Sequence, residues 1–324
     1  MMRSPMDVVV GMATFRRPEL LAALLPKVLE QIEDCASTPA MPSRYRVVVV
    51  DNDPEESARE AVESVGDQRI SYCPEPRPGI SAARNRILDE AHDADVLVLL
   101  DDDETPHAGW LARMLTTYLE HDADAVSGPV HAVFEGEEDP WVAAGGYYLG
   151  QRREGVRTGT VLQRAATNNL LLDMGQVRLL GLRFDERFGL TGGEDSLFTG
   201  QLTAAGGRII FCAEAVVDDL VPRARNTRAF NLARRRAQAA THVRVEQNLA
   251  VSRRARAANG ARWFVIGSGQ LVKGSALAVI GRITGDLHRQ AQGEGRVSSG
   301  IGVLGGCVGI VSAPYARQRN DRRR

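Results

Sequence analysis

Along the first 130 residues, short runs of nearly unbroken apolar residues alternate with longer stretches of helical periodicity. Asp7–Ala13 (DVVVGMA), Tyr45–Asp51 (YRVVVVD) and Asp95–Asp101 (DVLVLLD) read as buried strands. Arg69–Cys73 reads as a shorter strand, and Ala123–Pro129 closes the series. Pro18–Glu33, Pro54–Val65, Gly79–His92 and the stretch around Trp110–Glu120 read as helices, the first with proline at its start, where no amide hydrogen is needed. Strands alternating with helices, and apolar on both faces, predict an α/β fold with a mostly parallel central sheet covered by helices on each side. Ligands bind such sheets beyond the carboxyl ends of the strands.

The periodicity then fades. Residues 131–164 hold Gly136, Gly145, Gly146, Gly150, Gly155 and Gly159 with Trp141, Tyr147 and Tyr148, and read as a mobile connection or flap. Ala165–Asp173 and Arg208–Cys212 read as further strands and Glu194–Ala205 as a helix. Asn226–Arg256 is helical and strongly basic, Arg262–Gly281 and Ser298–Tyr315 are further helix candidates, and the terminal NDRRR reads as disordered.

Composition changes this picture in one respect. Of 324 residues, 44% are hydrophobic and 25% charged, as in an ordinary globular chain. The formal net charge of −1 conceals 20 Lys and Arg against 4 acids from Arg223 to Arg324, leaving residues 1–222 strongly acidic. The four cysteines, Cys35, Cys73, Cys212 and Cys307, show no metal-ligand spacing and fit a reducing cytosol. No long apolar run follows the N-terminus, so no signal peptide is expected, and Phe264–Ile280 is interrupted by Lys273.

The candidate chemistry sits at the strand ends. The first strand ends in Thr14-Phe15-Arg16-Arg17, the second in Asp51-Asn52-Asp53, and the fourth in Asp101-Asp102-Asp103-Glu104. Adjacent carboxylates repel, and a divalent cation relieves them; oxygen ligands suit Mg²⁺ or Mn²⁺ and leave room for phosphate oxygens. Against this stands a solvated acidic loop. Gly79–Asn85 opens a helix whose N-terminus favours an anion, with Arg84 placed to pair with an acidic strand end or a phosphate. Thr191-Gly192-Gly193-Glu194-Asp195 precedes another helix; its carboxylates are either caps or include a general base.

Taken in order, ATFRRPELLAALLPKVLEQ, VVVVDNDPEESA, PEPRPGISAARNRILDEA, ADVLVLLDDDETPHAGWL and GGEDSLFTGQLTAAGGRIIFCAEA resemble family 2 glycosyltransferases of GT-A fold, most closely the bacterial exopolysaccharide (succinoglycan-type) branch. The resemblance covers roughly residues 7–220 and implies an inverting transfer from a nucleotide-diphosphosugar, with UDP the family expectation. It implies that Thr14, Phe15 and Arg16 line the nucleotide pocket, Asp51 contacts base or ribose, and Arg84 lies near the acidic strand ends. Asp101 and Asp103 fill the DxD pattern, Asp101 toward the ribose and Asp103 toward the metal, with Asp102 between them. Gly192 and Gly193 form the floor beside the sugar, and Asp195 of the Glu194-Asp195 pair is the base. Where the family often carries a histidine, this chain has Asp219, which becomes the third metal candidate.

Domains follow: a catalytic piece over 1–222, its nucleotide-sugar half about 1–130 and acceptor half about 131–222, then a basic helical extension over 223–324. The extension's arginines interleave with Phe230, Leu232, Val243, Val245, Leu249 and Val251, as in a helix that lies on an anionic membrane. Sparse aromatics argue against nucleic acid. The expected location is cytoplasmic, on the inner face of the membrane, with a glycan or lipid-linked acceptor. Trp110 reads as core, Trp141 as an acceptor-side platform, and Trp263 as an interfacial residue. Two competing readings are a nucleotidyltransferase, whose Gly-rich first loop Thr14–Arg17 lacks, and a degenerate scaffold, against which Asp101, Asp103 and Asp195 are all present.

Overall fold

A computed structural model describes residues 6–37, 43–149 and 153–310. Gly150, residues 311–315 of the last helix candidate and the NDRRR terminus lie outside the described residues. Two compact units emerge. The first comprises Met1–Val133, Gln151–Glu186 and Phe198–Leu220, the second Phe134–Gly150, Arg187–Leu197 and Val221–Arg324.

The first unit is built on an eight-stranded sheet. Its strands are β1 (Met6–Thr14), β2 (Ser43–Asp51), β3 (Ile70–Pro74), β4 (Val96–Asp101), β6 (Ala125–Ser127), β8 (Val161–Leu162), β9 (Asn169–Asp173) and β10 (Ile209–Phe211), in the order β3-β2-β1-β4-β9-β6-β10-β8. β1 through β4 pair in parallel, β10 is parallel to β6, and β9 runs antiparallel between β4 and β6. The helices are α1 (Pro18–Ala36), α2 (Arg59–Glu63), α3 (Ile80–Glu90), α4 (Trp110–His121) and α6 (Met174–Leu180).

Period-two alternation sends each strand's residues to two separate cores. Val8, Val10, Met12, Val47, Val49, Val98 and Leu100 pack under α1 and α4. Val9, Val48, Val50, Leu97, Leu99 and Leu172 pack under α3 and α6. Runs such as Val47–Val50 are apolar throughout because both sides are covered. Gly11 lets α3 approach closely: a Cβ there would meet Ile87 Cγ2 at 2.3 Å.

A three-stranded sheet, β5-β11-β7, joins β5 (Glu104–Pro106), β11 (Val217–Val221) and β7 (Val130–Phe134). The pairing sets Asp219 opposite Glu104.

Several expectations need correction. The helix expected over Pro54–Val65 shrinks to α2, because Asp51 and Asp53 accept hydrogen bonds from the amides of Asp53, Glu55 and Ala58 and hold the entry as a turn. The segment 131–164 is no featureless flap: it carries part of β7, the helix α5 (Pro140–Gly145) and β8. Asp139 caps α5 by accepting from the amides of Trp141 and Val142.

The second unit is a helical bundle of α8 (Arg228–Leu249), α9 (Arg253–Thr284) and α10 (Leu287–Cys307), with α5 and the start of α7 (Glu194–Ala204). The last helix therefore begins eleven residues earlier than Ser298. Glycines bring α9 and α10 together: Cβ atoms at Gly274 and Gly293 would meet backbone of the facing helix at 2.8 and 2.3 Å. Ala237, Ala240, Val243 and Val245 of α8 are buried, so much of its apolar face lies inside the bundle. α9 is long and apolar enough to cross a membrane by length and composition, with a mean hydropathy of 1.4 over its best 18-residue window, of which 22% is buried.

Candidate active site

In the first unit the ends of β1, β2 and β4 lie side by side, because the register pairs Thr14 with Asp51 and Ala13 with Asp101. Each end is fixed by its own hydrogen bonds. Asp51 is fully buried and accepts from the amides of Asp53 and Ala58 and from the Tyr72 hydroxyl, all at 2.9 Å. Asn52 donates to the carbonyls of Glu75 and Arg77 and accepts from the Gly79 amide, tying the second strand end to the entrance of α3.

The turn after β1 divides its two arginines. Arg16, in the left-handed region at φ 55°, reaches Asp53 at 3.2 Å and stacks on Phe15, with its guanidinium 5.3 Å from the ring centre. Arg17 turns the other way and donates to Asp102 at 3.0 Å and Asp103 at 2.9 Å. Thr14 donates to the second oxygen of Asp102 at 2.7 Å. Arg84, buried at the start of α3, approaches Asp101 at 3.4 Å.

Five carboxylates thus gather at and after β4: Asp101, Asp102, Asp103, Glu104 and, across β11, Asp219. Glu104 is buried and accepts from Asn168 at 2.7 Å and from the Asp101 amide at 3.1 Å. Burial pushes its carboxyl well above the usual range, and the charges of Asp101, Asp219 and Asp103 push the same way. For Asp102, burial is the largest cause; Arg17 and Thr14 oppose it, Asp103 and Asp101 add to it, and the result is about 6. Arg17 bridges Asp102 and Asp103, and Arg84 faces Asp101. The Asp101 and Asp103 side chains are 37% and 16% exposed against 6% for Asp102, and Asp219 is also partly exposed.

Among the described residues no three His, Cys, Asp or Glu side chains are already arranged as a metal-binding group. Asp101, Asp103 and Asp219 are neighbours in the chain and in strand pairing rather than a preformed triad. The residues still fit a hard divalent cation: every donor is an oxygen, and Asp101, Asp103 and Glu104 follow one another at the strand end with Asp219 paired opposite Glu104.

The second unit holds the Thr191–Asp195 loop. Gly192 and Gly193 have φ of +77° and +93°, which glycine adopts without strain. Gly193 lies against α8, where a Cβ would meet Thr241 Cγ2 at 2.2 Å. Thr241 donates to the Thr191 carbonyl at 3.3 Å, and Arg244 donates to the Thr191 hydroxyl at 3.0 Å while stacking on Phe188 at 4.0 Å. Glu194 is buried and Asp195 half-buried. The loop carrying the two carboxylates is therefore seated on the basic extension.

Reasoning from sequence placed Arg17, Asn52 and Glu104 at the strand ends without giving them a role, and missed Asn168 and the pairing of Asp218 with His107 at 3.0 Å. Arg17 is signalled by the doubled arginine, and Glu104 by its place directly after the triple aspartate. Trp110 is core, donating from its indole to Asn169 at 2.8 Å. Trp141 is no open platform: it is 7% exposed, stacked on Tyr147 at 4.9 Å and 5.7 Å from the Arg228 guanidinium. Trp263 packs edge-on against His242 of α8 at 4.9 Å.

Comparison with known proteins gives a consistent family. Residues 9–174 match glycosyl transferase family 2. The succinoglycan biosynthesis protein ExoM of Rhizobium meliloti (strain 1021) is 38% identical over 242 residues, 73% of this chain and 74% of that protein. TarS 1–349 of S. aureus, solved with UDP-GlcNAc, superposes with a TM-score of 0.53 at 14% identity, over 89% of this chain and 90% of that one. GalNAc-T7, solved with UDP, GalNAc and Mn²⁺, superposes at 0.52 and 14% identity over 73% of this chain and 52% of that one. The last two likenesses speak to the fold, which is GT-A.

Proposed function

The chain belongs to glycosyltransferase family 2, and from that premise we propose that it inverts the anomeric centre of a nucleotide-diphosphosugar while transferring the sugar to a hydroxyl of a glycan. The observation that carries this reading is the gathering of Asp101, Asp102, Asp103 and Glu104 just beyond β4, with Asp219 paired opposite Glu104. UDP is the proposed carrier, consistent with the UDP bound to TarS and GalNAc-T7. The acceptor is a lipid-linked or polysaccharide glycan of exopolysaccharide synthesis, in keeping with the name of the R. meliloti relative. We place the catalytic piece over residues 1–222, the basic extension over 223–324, and the protein on the inner face of the membrane.

The residues divide the work as follows. Thr14, Phe15 and Arg16 line the nucleotide pocket. Asp51, whose oxygens already hold the turn after β2, shapes the base and ribose side. Asp101, Asp103 and Asp219 would hold Mn²⁺ or Mg²⁺. When bound, that cation supplies charge stabilisation to the departing diphosphate. Arg17 and Asp102 position Asp103, and Arg84 orients Asp101. Gly192 and Gly193 give the floor beside the sugar. Asp195 takes the proton from the acceptor hydroxyl, whose oxygen bonds to the anomeric carbon as the carbon–phosphate oxygen bond breaks on the opposite face. Glu194, being buried, positions Asp195.

Two measurements test this. Nucleoside diphosphate release from a panel of nucleotide sugars should require Mn²⁺ or Mg²⁺ and fall by roughly 10²–10³-fold in Asp103→Ala. A matching donor at about 100 times its dissociation constant should add roughly 2.7 kcal/mol to thermal stability. Metal-independent turnover that survives in Asp103→Ala would refute the assignment.

A further inference from the structure

The outer side of α9 carries a feature that sugar transfer does not use. Phe264, Val265, Val272, Val279, Ile280 and Ile283 are all exposed, Val265, Val272 and Ile283 at 69, 72 and 80%. At 100° per residue they fall within one arc of roughly 160°, which Ala257, Ala261 and Ala276 extend. Gly267, Gly274, Ala278 and Gly281 occupy the opposite side and pack on α10. From Ala261 to Ile283 the stripe runs about 33 Å at 1.5 Å per residue. Isolated surface leucines or valines need no explanation, but a continuous stripe marks a contact surface.

Charge identifies the partner. Between Arg253 and Thr284 there are six basic residues, Arg253, Arg254, Arg256, Arg262, Lys273 and Arg282, and no acid. Arg282 is committed to Glu294 and Arg256 faces away, but Arg253, Arg254, Arg262 and Lys273 lie in or beside the arc, so a second copy docking through the same face would bring these like charges together. An anionic bilayer is complementary to both parts of the face: acyl chains take the apolar arc and headgroups take the flanking cations. Crossing the bilayer is a poor fit despite the helix's length, because the reverse side is committed to α10. There Glu294 is buried in an ion-paired network with Arg228 at 2.7 Å and Arg282 at 2.8 Å.

We propose that α9 lies in the plane of an anionic membrane surface, with the Phe264–Ile283 arc in the acyl boundary and its basic residues among the phosphates. This names the surface responsible for the membrane location proposed above and rests on that location, though not on the donor site. It also moves the contact from α8, where sequence alone put it, to α9.

The test is sedimentation of the full chain with phosphatidylcholine vesicles, with and without phosphatidylglycerol. Wild type should bind the phosphatidylglycerol vesicles, and less so at high salt. The apolar variant Val265→Gln/Val272→Gln/Ile283→Gln and the charge variant Arg254→Gln/Arg262→Gln/Lys273→Gln should each lose about tenfold or more. All six positions are outside the α9–α10 contact, and an unchanged melting temperature would confirm folding. Equal binding of both variants and wild type would overturn the proposal. So would resistance to alkaline carbonate extraction, which means a spanning helix, or a dimer that the apolar variant dissociates, which means a second copy. The donor-induced thermal shift, measured on the same samples, separates the two readings: it persists if only the membrane contact is wrong, and is missing from wild type if the transferase reading is wrong.

Discussion

Two buried carboxylate clusters in this protein are built to opposite balances. Beyond β4, Asp102 shares Arg17 with Asp103, accepts from Thr14, and is pushed up to about 6 by burial. In the helical bundle, one acid, Glu294, is shared by Arg228 and Arg282 with a further hydrogen bond from Gln290. Burial raises the Glu294 pKa, but Gln290, Arg282 and Arg228 outweigh it and hold the group below the ordinary glutamate value. Burial is the largest cause at both; three donors outweigh it at Glu294, while Arg17 and Thr14 do not at Asp102. The Glu294 network is satisfied by its own donors, whereas the strand-end acids are the group proposed above to hold a cation.

The contrast is most strongly broken at Arg17. Arg17→Gln removes the cation bridging Asp102 and Asp103 and should destabilise metal-free protein by about 2 kcal/mol, reduced from a fully buried pair because Arg17 is partly exposed. Mn²⁺ should restore part of that loss in a thermal melt; a loss that Mn²⁺ leaves untouched would mean the cluster does not accept the ion. Next in size, Glu294→Gln should cost about 1 kcal/mol, since both arginines are half-exposed, and Mn²⁺ should change nothing. A Glu294→Gln protein rescued by Mn²⁺ would erase the distinction.

The subtlest effect is in the sign of the pH dependence. Folded Asp102 keeps its proton above the unfolded value, so chelated protein should lose stability as pH rises from about 4 through about 6. Glu294 does the reverse: its contribution is present above the ordinary glutamate pKa and disappears as pH falls through the lower folded value. Denaturant melts of Asp102→Asn between about pH 4 and 6, and of Glu294→Gln below the ordinary glutamate value, should shift the slope in opposite directions. Parallel shifts would show that the two clusters are alike.

These clusters also show what a sequence exposes. The β1, β2 and β4 cores were readable because Val47–Val50 and Val96–Leu100 are apolar on both faces, which only a doubly covered strand requires. The reversed direction of β9 was not, since Asn169–Asp173 presents the same apolar residues to its neighbours whichever way it runs. The triple aspartate announced the site, but adjacent arginines look alike in a sequence, and only the positive φ of Arg16 decides that Arg17 reaches the acids. The dependence of the Thr191–Asp195 loop on Thr241 and Arg244 joins residues about fifty positions apart, which no local period reveals. Trp141 reads as open because its surroundings are glycine-rich, but Tyr147 of the same segment stacks on it and Arg228, from a distant helix, closes over the ring.

The absent side chain at Gly11 has a reach beyond its own strand. It sets the spacing between β1 and the helix that begins with Ile80 and carries Arg84 four residues later. A single methyl group at position 11 would collide with the Ile87 side chain, and a Gly11→Ala variant is expected to disturb the packing of this helix on β1. The helix that brings Arg84 to face Asp101 thus rests on a residue deep in the interior.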